Sequence, residues 1–315
     1  MLSIANFQTC KTHFNSLLTA SVLACAMFSS VKASDVSVQK TQTGQMSAQA
    51  KFDHYVKARK KRLLSPDGWV SLAGLFWLED GKYTIGSAHN NRIIFPKEAP
   101  QHVGIITIKD HRIDFQAQDP SVRINGLSVT TAELSVKDQT KVTFKPFSFF
   151  MIEREKGFAI RLKNAQNPAL KTFQGFDFFP FNPKLIVRAK LIKPAANAKT
   201  LLIQTVYGTF RHEKSAGFLQ FSYEGKPYQL QAVDDGPNNP LFVMFTDATS
   251  EKLTYGAGRF LDVAQPDANG QTLINFNEAY NPPCAFTHFA TCPLPPRSNR
   301  LSIAINAGEK FSGHP

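Results

Sequence analysis

The stretch from Trp69 onward constrains the fold most, because its apolar residues recur at every second position rather than at helical spacing. β-Branched and aromatic runs are interrupted at short intervals by Gly, Asn, Asp and Pro. This pattern is typical of short antiparallel strands joined by tight turns. The sequence therefore predicts an all-β fold, mainly an antiparallel sandwich or barrel.

Several turns carry clear hairpin signals. Residues 109–111 separate two alternating apolar runs, and Asn125 and Gly126 follow Ile124 directly. Asn and Gly tolerate the positive φ angles of a type I′ turn, which matches the twist of paired strands. Residues 156–157 and 225–226 repeat the pattern, so the C-terminal half is predicted to be β as well.

One amphipathic helix is predicted, over residues 46–64. Apolar and long side chains recur on one face at helical spacing, namely at Phe52, Tyr55, Val56, Arg59 and Leu63. Lysines occupy the opposite face, at Lys51, Lys57, Lys60 and Lys61. We interpret this basic face as a solvated surface, with binding to a membrane surface or anionic glycan as the alternative.

The remaining chain is predicted to form two β domains. Strand patterning lapses between Asn164 and Asn182, so we expect an N-terminal β domain over residues 65–170 and a C-terminal β domain over residues 171–315. A linker at residues 194–199 is the alternative boundary.

The first 33 residues have the outline of a secretory signal peptide. Lys11 precedes an apolar segment that is too short to span a bilayer, and Val31 and Ala33 are suitable residues for signal peptidase. We expect cleavage after Ala33, a linker over residues 34–45 and a periplasmic protein. The alternative is a membrane-anchored lipoprotein, because Cys25 ends a run that resembles a lipoprotein cleavage box.

The chain of 315 residues is basic, with a formal net charge of +12. Such a charge favours anionic partners weakly. For an exported protein we expect a small-molecule or glycan ligand, and we do not expect a nucleic acid. No cofactor is expected, because the one close Gly-x-Gly motif lacks the following helix of a nucleotide-binding loop.

Long motifs resemble the bacterial domain-of-unknown-function family 1684. They are SPDGWVSLAGLFWL at 65–78, YTIGS at 83–87, YGAGRFL at 255–261, NFNEAYNPPCAFT at 275–287 and ATCPLPP at 290–296. The resemblance covers roughly residues 51–311 and implies an uncharacterised exported protein with no activity to transfer. His288 stands where the family motif is expected to have Pro, so a role for its imidazole would not extend to the family.

The N-terminal half is also weakly similar to a forkhead-associated β-sandwich. The similarity rests on YTIGS at 83–87, on NNRIIFP at 90–96, on His102 and on Asn125 with Gly126. Forkhead-associated domains hold phosphothreonine with an Arg directly after the Ile-Gly pair. Ser87 occupies that place here, so phosphopeptide binding is not expected.

Arg259 and Tyr255 belong to a segment suited to ligand binding. Close glycines allow a partner to approach the backbone, and an Arg can hold a carboxylate or phosphate with two hydrogen bonds. We therefore predict that Arg259 and Tyr255 bind a ligand. The alternative is a buried ion pair of Arg259 with Asp247 or Glu278, with the glycines shaping a bulge.

A polar set follows at Asn277, Glu278, Tyr280 and Asn281. Such side chains can bind sugar hydroxyls, and Glu278 could act as a general base if burial raised its pKa. Turn hydrogen bonds are the alternative role for Asn277 and Asn281.

Cys284 and Cys292 lie in a proline-rich loop and are predicted to form a disulfide. The alternatives are a metal site that includes His288 and a free nucleophilic cysteine. A fourth ligand is not visible nearby, so no metal is predicted.

These residues support three functional hypotheses. The first is a module whose C-terminal half binds an anionic or polyhydroxylated envelope component through Arg259, Tyr255, Asn277, Tyr280 and Asn281. The second is a hydrolase with Glu278 as base and Arg259 as clamp. The third is a non-catalytic scaffold or assembly factor.

The signal-peptide hypothesis makes a direct prediction about the mature N-terminus. We expect mass spectrometry of the protein isolated from cells to find a chain that begins at Ser34. A chain that begins at a diacylated Cys25 would contradict this expectation and establish the lipoprotein.

Overall fold

The computed structural model describes residues 46–173, 177–195, 197–311 and 313. The predicted signal peptide, Cys25 and the linker over residues 34–45 lie outside the described residues. Met46–Pro315 form one compact unit. Within the described ranges, no helix is both long enough and apolar enough to cross a membrane.

Strands make up most of the regular structure. The helices are α1 (Ala48–Leu63) and the short α2 (Ala169–Thr172), and five 3-10 segments are η1 (Trp69–Ser71), η2 (Pro183–Leu185), η3 (Phe276–Glu278), η4 (Pro283–Ala285) and η5 (Arg297–Asn299). The strands of the N-terminal half are β1 (Leu72–Leu78), β2 (Gly81–Gly86), β3 (Ile93–Ile94), β4 (Gly104–Lys109), β5 (Arg112–Ala117), β6 (Arg123–Ile124), β7 (Thr131–Glu133), β8 (Val142–Phe144), β9 (Phe147–Arg154) and β10 (Gly157–Asn164). Those of the C-terminal half are β11 (Ile186–Ile192), β12 (Thr200–Gln204), β13 (Phe210–Tyr223), β14 (Lys226–Asp234), β15 (Leu241–Phe245), β16 (Arg259–Val263) and β17 (Gln271–Asn275). The predicted all-β fold with one N-terminal amphipathic helix is confirmed.

The strands of the described residues form three sheets. The first has the order β1-β10-β9-β8-β6, and the second has the order β3-β2-β4-β5-β7. The third has the order β16-β15-β14-β13-β11-β17, and β12 pairs with β13 beside it. Neighbouring strands are antiparallel except β2 and β3, which are parallel. The mainly antiparallel arrangement agrees with the short turns between the strands.

The predicted hairpins form where the turn residues allow positive φ. Asp110 and His111 have φ of 49° and 63° between β4 and β5. Asn125 and Gly126 have φ of 49° and 83°, and the backbones of Ile124 and Leu127 exchange two hydrogen bonds of 2.9 Å across them. Two successive positive φ angles are the geometry of a type I′ turn. The turn residues identified in the sequence therefore fix which residues pair across the two strands.

The first two sheets pack face to face as a sandwich. Their shared core contains Ile85, Ile106 and Phe115 from the second sheet, and Phe149 and Ile160 from the first. Each of these side chains is almost fully buried. Burial of one such side chain contributes about 1.5–3 kcal/mol, so this core is the main source of stability for the N-terminal half.

The third sheet is covered on both faces. One face carries a second core, which includes Val243, Phe276 and the C-terminal residues Leu301 and Ile305. The other face carries a smaller cluster around Met244, Phe260 and Cys292, against which Trp69 packs. The predicted domain boundary between residues 170 and 171 stays a prediction.

Strand β10 joins these layers because it is buried on both faces. Phe158, Ile160 and Leu162 point into the sandwich core. Side chains alternate along a strand, so Ala159 and Arg161 point the other way. The Arg161 side chain reaches Thr291 of the disulfide loop. The outer face of the first sheet is therefore directed at the C-terminal half rather than at solvent.

Helix α1 docks through the face that the sequence predicts. Ser47 caps the helix by accepting a hydrogen bond from the Ala50 amide, which satisfies a free backbone donor. Phe52, Arg59 and Leu63 are buried, whereas the four lysines of the opposite face are exposed. The prediction that the basic run lies on an outward face is therefore consistent with the docked helix.

Arg59 anchors this helix to the C-terminal half. Its Nε donates to Glu309 Oε1 at 2.7 Å, and its Nη2 donates to the Asn281 carbonyl oxygen at 3.0 Å. The guanidinium also lies 4.8 Å from the centroid of the Tyr280 ring. A buried pair with these partners is costly to break, because the remaining charge cannot be solvated.

We expect Arg59→Met to lower the free energy of unfolding by about 3 kcal/mol, since Glu309 would stay buried without its partner. Arg62→Met is the matched control, because Arg62 is exposed in the last turn of the same helix, and surface changes stay within about 0.5 kcal/mol. Urea denaturation of both variants measures the difference. Equal losses in the two variants would contradict the anchoring role.

Candidate functional site

Arg259 lies in the protein interior. Its Nη2 is 2.5 Å from Asp247 Oδ2 and donates to the Ile305 carbonyl oxygen at 3.0 Å, and its Nη1 donates to the Ala307 carbonyl oxygen. Only 1% of the residue is exposed, and burial lowers the pKa of the guanidinium while Asp247 opposes the shift. The buried ion pair with Asp247 is the arrangement present, so Arg259 occupies a structural position rather than a ligand-binding one.

Tyr255 and the neighbouring glycines also pack internally. The Tyr255 ring meets the Phe311 ring edge to face, with centroids 4.9 Å apart. Gly258 has a φ of +93°, and a Cβ there would lie 2.5 Å from the Phe245 carbonyl oxygen. Position 258 therefore requires glycine, because the backbone at Phe245 leaves no room for a side chain.

Asn277 and Asn281 use their side chains to hold distant segments. Asn277 Oδ1 accepts from the Asn182 amide at 2.8 Å, and its Nδ2 donates to the Asn182 carbonyl oxygen at 2.9 Å. Asn281 Nδ2 donates to the Lys310 carbonyl oxygen at 2.9 Å, and the Asn281 amide donates to Glu309 Oε2 at 2.7 Å. Both side chains therefore hydrogen-bond to the backbone, as in the alternative role considered for Asn277 and Asn281.

Glu278 and Tyr280 lie under helix α1. The Tyr55 hydroxyl donates to the Glu278 carbonyl oxygen at 2.7 Å, and Asn275 Nδ2 donates to Glu278 Oε1 at 2.8 Å. The Tyr280 hydroxyl lies 3.3 Å from both carboxylate oxygens of Asp262. Burial, and then the Asp262 charge, raise the pKa of Glu278. Glu278, Tyr280 and Asn281 thus converge, but they form the surface on which the helix docks.

The disulfide between Cys284 and Cys292 is present, with Cα atoms 6.2 Å apart. This confirms the predicted pairing. Because the two sulfurs are bonded to each other, neither is available as a zinc ligand or as a nucleophile. The loop they close lies against the third sheet, where Cys292 is buried beside Met244 and Phe260.

A cavity of about 290 Å³ lies between the first sheet and the third sheet, and we name it the arginine cavity. Its lining combines a basic wall, an apolar wall and part of the disulfide loop. The basic wall has Arg154, Arg161 and Arg211; the apolar wall has Val233, Phe242, Met244, Phe260 and Ala290; the remaining lining residues are Trp69, Glu213, Asp235, Pro283, Thr291, Cys292 and Pro293.

Arg161 is the central cation of the basic wall. The residue is only 5% exposed, yet no carboxylate among the described residues lies within 4 Å of its guanidinium. Its Nε has no hydrogen-bond partner in the described part of the chain, and its Nη2 reaches Thr291 Oγ1 at 3.4 Å. Its guanidinium lies 5.2 Å from the Trp69 ring centroid. Burial, and then the neighbouring charge of Arg154, lower the pKa of Arg161 to about 10, so the group is charged at neutral pH.

Arg154 and Arg211 differ in whether a nearby carboxylate balances the charge of the guanidinium. Arg154 Nη1 donates to the Glu153 carbonyl oxygen at 2.6 Å, and its buried Nε lacks a partner within the described ranges. Burial, and then Arg211, lower the pKa of Arg154. Arg211 lies 3.0 Å from Glu155 and 3.6 Å from Glu213. Within the described part of the chain, Arg154 and Arg161 therefore have no carboxylate within 4 Å, although Glu155 and Glu213 act on Arg154 from further away.

The opposite wall of the arginine cavity is apolar and well packed. The rings of Phe242 and Phe260 meet edge to face with centroids 4.9 Å apart. Met244 packs in the same cluster. A cavity with a cationic wall and an apolar wall is chemically suited to a ligand that carries a negative charge on an apolar body. The residues of this site were missed by the sequence analysis, although the basic residues Arg154, Arg161 and Lys163 alternate with apolar ones on a predicted hairpin.

Comparison with known proteins finds a family model that matches the C-terminal half. Residues 171–310 match the model of a family described as protein of unknown function (DUF1684). The resemblance predicted from the motifs is therefore confirmed, over a shorter span. The bacterial origin and the forkhead-associated similarity are not confirmed by these matches.

Part of the chain is similar to chains of known structure. One of them is the solution NMR structure of an uncharacterized protein from Haloarcula marismortui, which is 28% identical to this chain. The match covers 44% of this chain and 78% of that chain, with a TM-score of 0.37. A TM-score of this size does not establish a shared fold. No curated protein matches the chain.

We expect the disulfide to stabilise the cavity wall. Replacing both Cys284 and Cys292 by Ser should cost about 2–3 kcal/mol, because the short loop is no longer closed in the unfolded chain. Peptide mapping after thiol labelling of the unreduced protein should leave both residues unlabelled. Labelling of either cysteine in the folded, unreduced parent would contradict the pairing.

Proposed function

We propose that this protein binds a small anionic ligand with an apolar portion in the arginine cavity. The observation that carries the proposal is the Arg161 guanidinium, which is buried and charged and has no carboxylate partner among the described residues. Removing a charge from water is costly unless another group compensates it. An anion at this position would supply that compensation.

The basic wall and the apolar wall would act on different parts of the ligand. Arg161 and Arg154 have free N–H donors, and charge-assisted hydrogen bonds from Arg to carboxylate or phosphate are among the stronger ones in proteins. Val233, Phe242 and Met244 would remove the apolar part of the ligand from water. The basic net charge of the chain favours the approach of such a ligand.

The proposal keeps the anionic ligand predicted from the sequence and moves it to other residues. Arg259, Tyr255 and Asn277 have partners within the fold, so they support neither a sugar site nor the hydrolase that pairs Glu278 with Arg259. We retain export and a periplasmic or membrane-anchored location as part of the proposal, because the leader pattern at residues 1–33 supports them. The ligand would then be a component of the cell envelope.

The test uses three probes that share one apolar body: octanoate, octyl phosphate and octanol. We expect the two anions to raise the melting temperature of the protein and octanol to leave it nearly unchanged. A ligand at about a hundred times its Kd adds roughly 2.7 kcal/mol of stability. Calorimetric titration gives the affinity directly.

Arg161→Gln is the decisive variant. We expect it to weaken binding of the anions about tenfold or more, since a hydrogen bond to a charged group contributes roughly 1.5–3 kcal/mol. Without ligand, the variant should be at least as stable as the parent, because the substitution removes an uncompensated buried charge. Arg188→Gln is the matched control, since Arg188 is exposed on β11 of the third sheet.

Two outcomes would contradict the proposal. Anions that fail to shift the parent, or that bind Arg161→Gln as tightly as the parent, would remove the arginine cavity as a binding site. Loss of stability in ligand-free Arg161→Gln, together with no binding in the parent, would favour the scaffold hypothesis. Arg161 would then have a structural role.

A further inference from the structure

A second cavity adjoins the arginine cavity at its cationic wall. It has a volume of about 330 Å³ and shares Trp69, Arg154 and Arg161 with the first cavity. Its other lining residues include Asp67, Gln139, Phe150 and Lys163. The two arginines that lack carboxylate partners therefore stand where the two cavities meet.

The second cavity is more polar than the arginine cavity. Lys163 Nζ donates to the Asp67 carbonyl oxygen at 2.6 Å and lies 3.9 Å from the Asp67 carboxylate, which also binds Lys141. The Gln139 side chain is exposed at the rim. The aromatic rings of Trp69 and Phe150 complete the lining. Polar groups beside aromatic rings are suited to a ligand portion that carries hydroxyl groups, because the rings cover its C–H surfaces and the polar groups bind its oxygens.

The charges of the two cavities favour a monoanion. The charged lining residues comprise four cations, Arg154, Arg161, Arg211 and Lys163, and three carboxylates, Asp67, Glu213 and Asp235. One positive charge remains in excess. A phosphate monoester carries about −1.5 to −2 near neutral pH, which overcompensates this excess. A ligand with a single negative charge matches it.

The position of the charge distinguishes two kinds of monoanion. A carboxylate at the end of an apolar chain would fill the arginine cavity and leave the second cavity unused. A phosphodiester carries its one negative charge between two substituents. Of these two kinds, the phosphodiester places an anion at Arg154 and Arg161 while it extends into both cavities.

We infer that the ligand is a phosphodiester whose phosphate binds Arg154 and Arg161, with an apolar substituent in the arginine cavity and a hydroxyl-bearing substituent in the second cavity. This inference rests on the proposed function of the arginine cavity and names the ligand class of that site. It implies that the protein distinguishes anionic amphiphiles by the substituent that the anionic group carries opposite its apolar chain.

Calorimetric titration with three probes tests the inference: octanoate, octyl phosphate and the phosphodiester of octanol and glycerol. We expect the phosphodiester to bind at least about tenfold more tightly than either of the other two probes. Lys163→Gln should reduce this preference to less than about threefold. The preference is a ratio of affinities within one variant, so a loss of positive charge that weakens all three anions equally does not change it. Gln139→Ala should also reduce the preference for the phosphodiester. Because Gln139 is exposed, this variant tests the second cavity even if Lys163→Gln folds poorly. Arg188→Gln should keep the full preference.

The outcomes separate this inference from the proposed function. If octanoate or octyl phosphate binds as tightly as the phosphodiester, or if Lys163→Gln and Gln139→Ala both keep the full preference, the inference is wrong while the anion site stands. If none of the three probes binds the parent, both the inference and the proposed function are wrong. A preference that depends on the second cavity supports both.

Discussion

The burial of strand β10 on both faces is the constraint on which the site depends. One face of the strand contributes Phe158, Ile160 and Leu162 to the sandwich core. The other face carries Ala159, which is fully buried, and Arg161, which is nearly so. An antiparallel sheet usually leaves one face to water, and charged residues on that face are then solvated. Here the C-terminal half covers that face, so a strand cation is enclosed.

The protein handles its buried arginines in two ways, and the difference identifies the candidate site. Arg59 is paired with Glu309, and Arg259 is paired with Asp247 and two carbonyl oxygens. Arg59 and Glu309 are 250 residues apart, and Arg259 donates to carbonyl oxygens 46 and 48 residues further along the chain, so both guanidinium groups have partners inside the fold. Among the described residues, Arg161 has a long contact to Thr291 and lies near the Trp69 ring, without a carboxylate partner. The difference between this cation and the two paired ones is what supports the proposed anion site.

Much of the architecture could be predicted from local sequence patterns. The alternation of apolar residues, the turn at Asn125 and Gly126, the buried face of helix α1 and the disulfide between Cys284 and Cys292 all depend on residues close together in the chain. The site could not be predicted in the same way. An alternating strand pattern shows that Arg161 and Phe158 lie on opposite faces, but it does not show which segment covers the Arg161 face.

Tertiary contacts also explain why the site residues predicted from the sequence lie where they do. Glycines beside Arg259 are compatible both with ligand approach and with close packing. The contacts of Arg259 with Asp247 and with the C-terminal segment show that close packing is the arrangement present. Glu278 and Tyr280 lie in a polar segment of the kind that often binds a ligand. Glu278 accepts a hydrogen bond from Tyr55, and the Tyr280 ring lies beside the Arg59 guanidinium, more than two hundred residues away in each case. Contacts of that range follow from the tertiary fold, which a single sequence does not reveal.

The disulfide loop connects the stability of the fold to the geometry of the site. Thr291, next to Cys292, contacts Arg161 through its hydroxyl and accepts a hydrogen bond from Arg211 through its carbonyl oxygen at 3.2 Å. The loop therefore holds two arginines of the basic wall in fixed positions before a ligand arrives. A preorganised site loses less conformational entropy on binding, so more of the interaction energy appears as affinity. In the proposed function, the disulfide loop would support the binding site, because it places Thr291 beside a buried cation that has no carboxylate partner among the described residues.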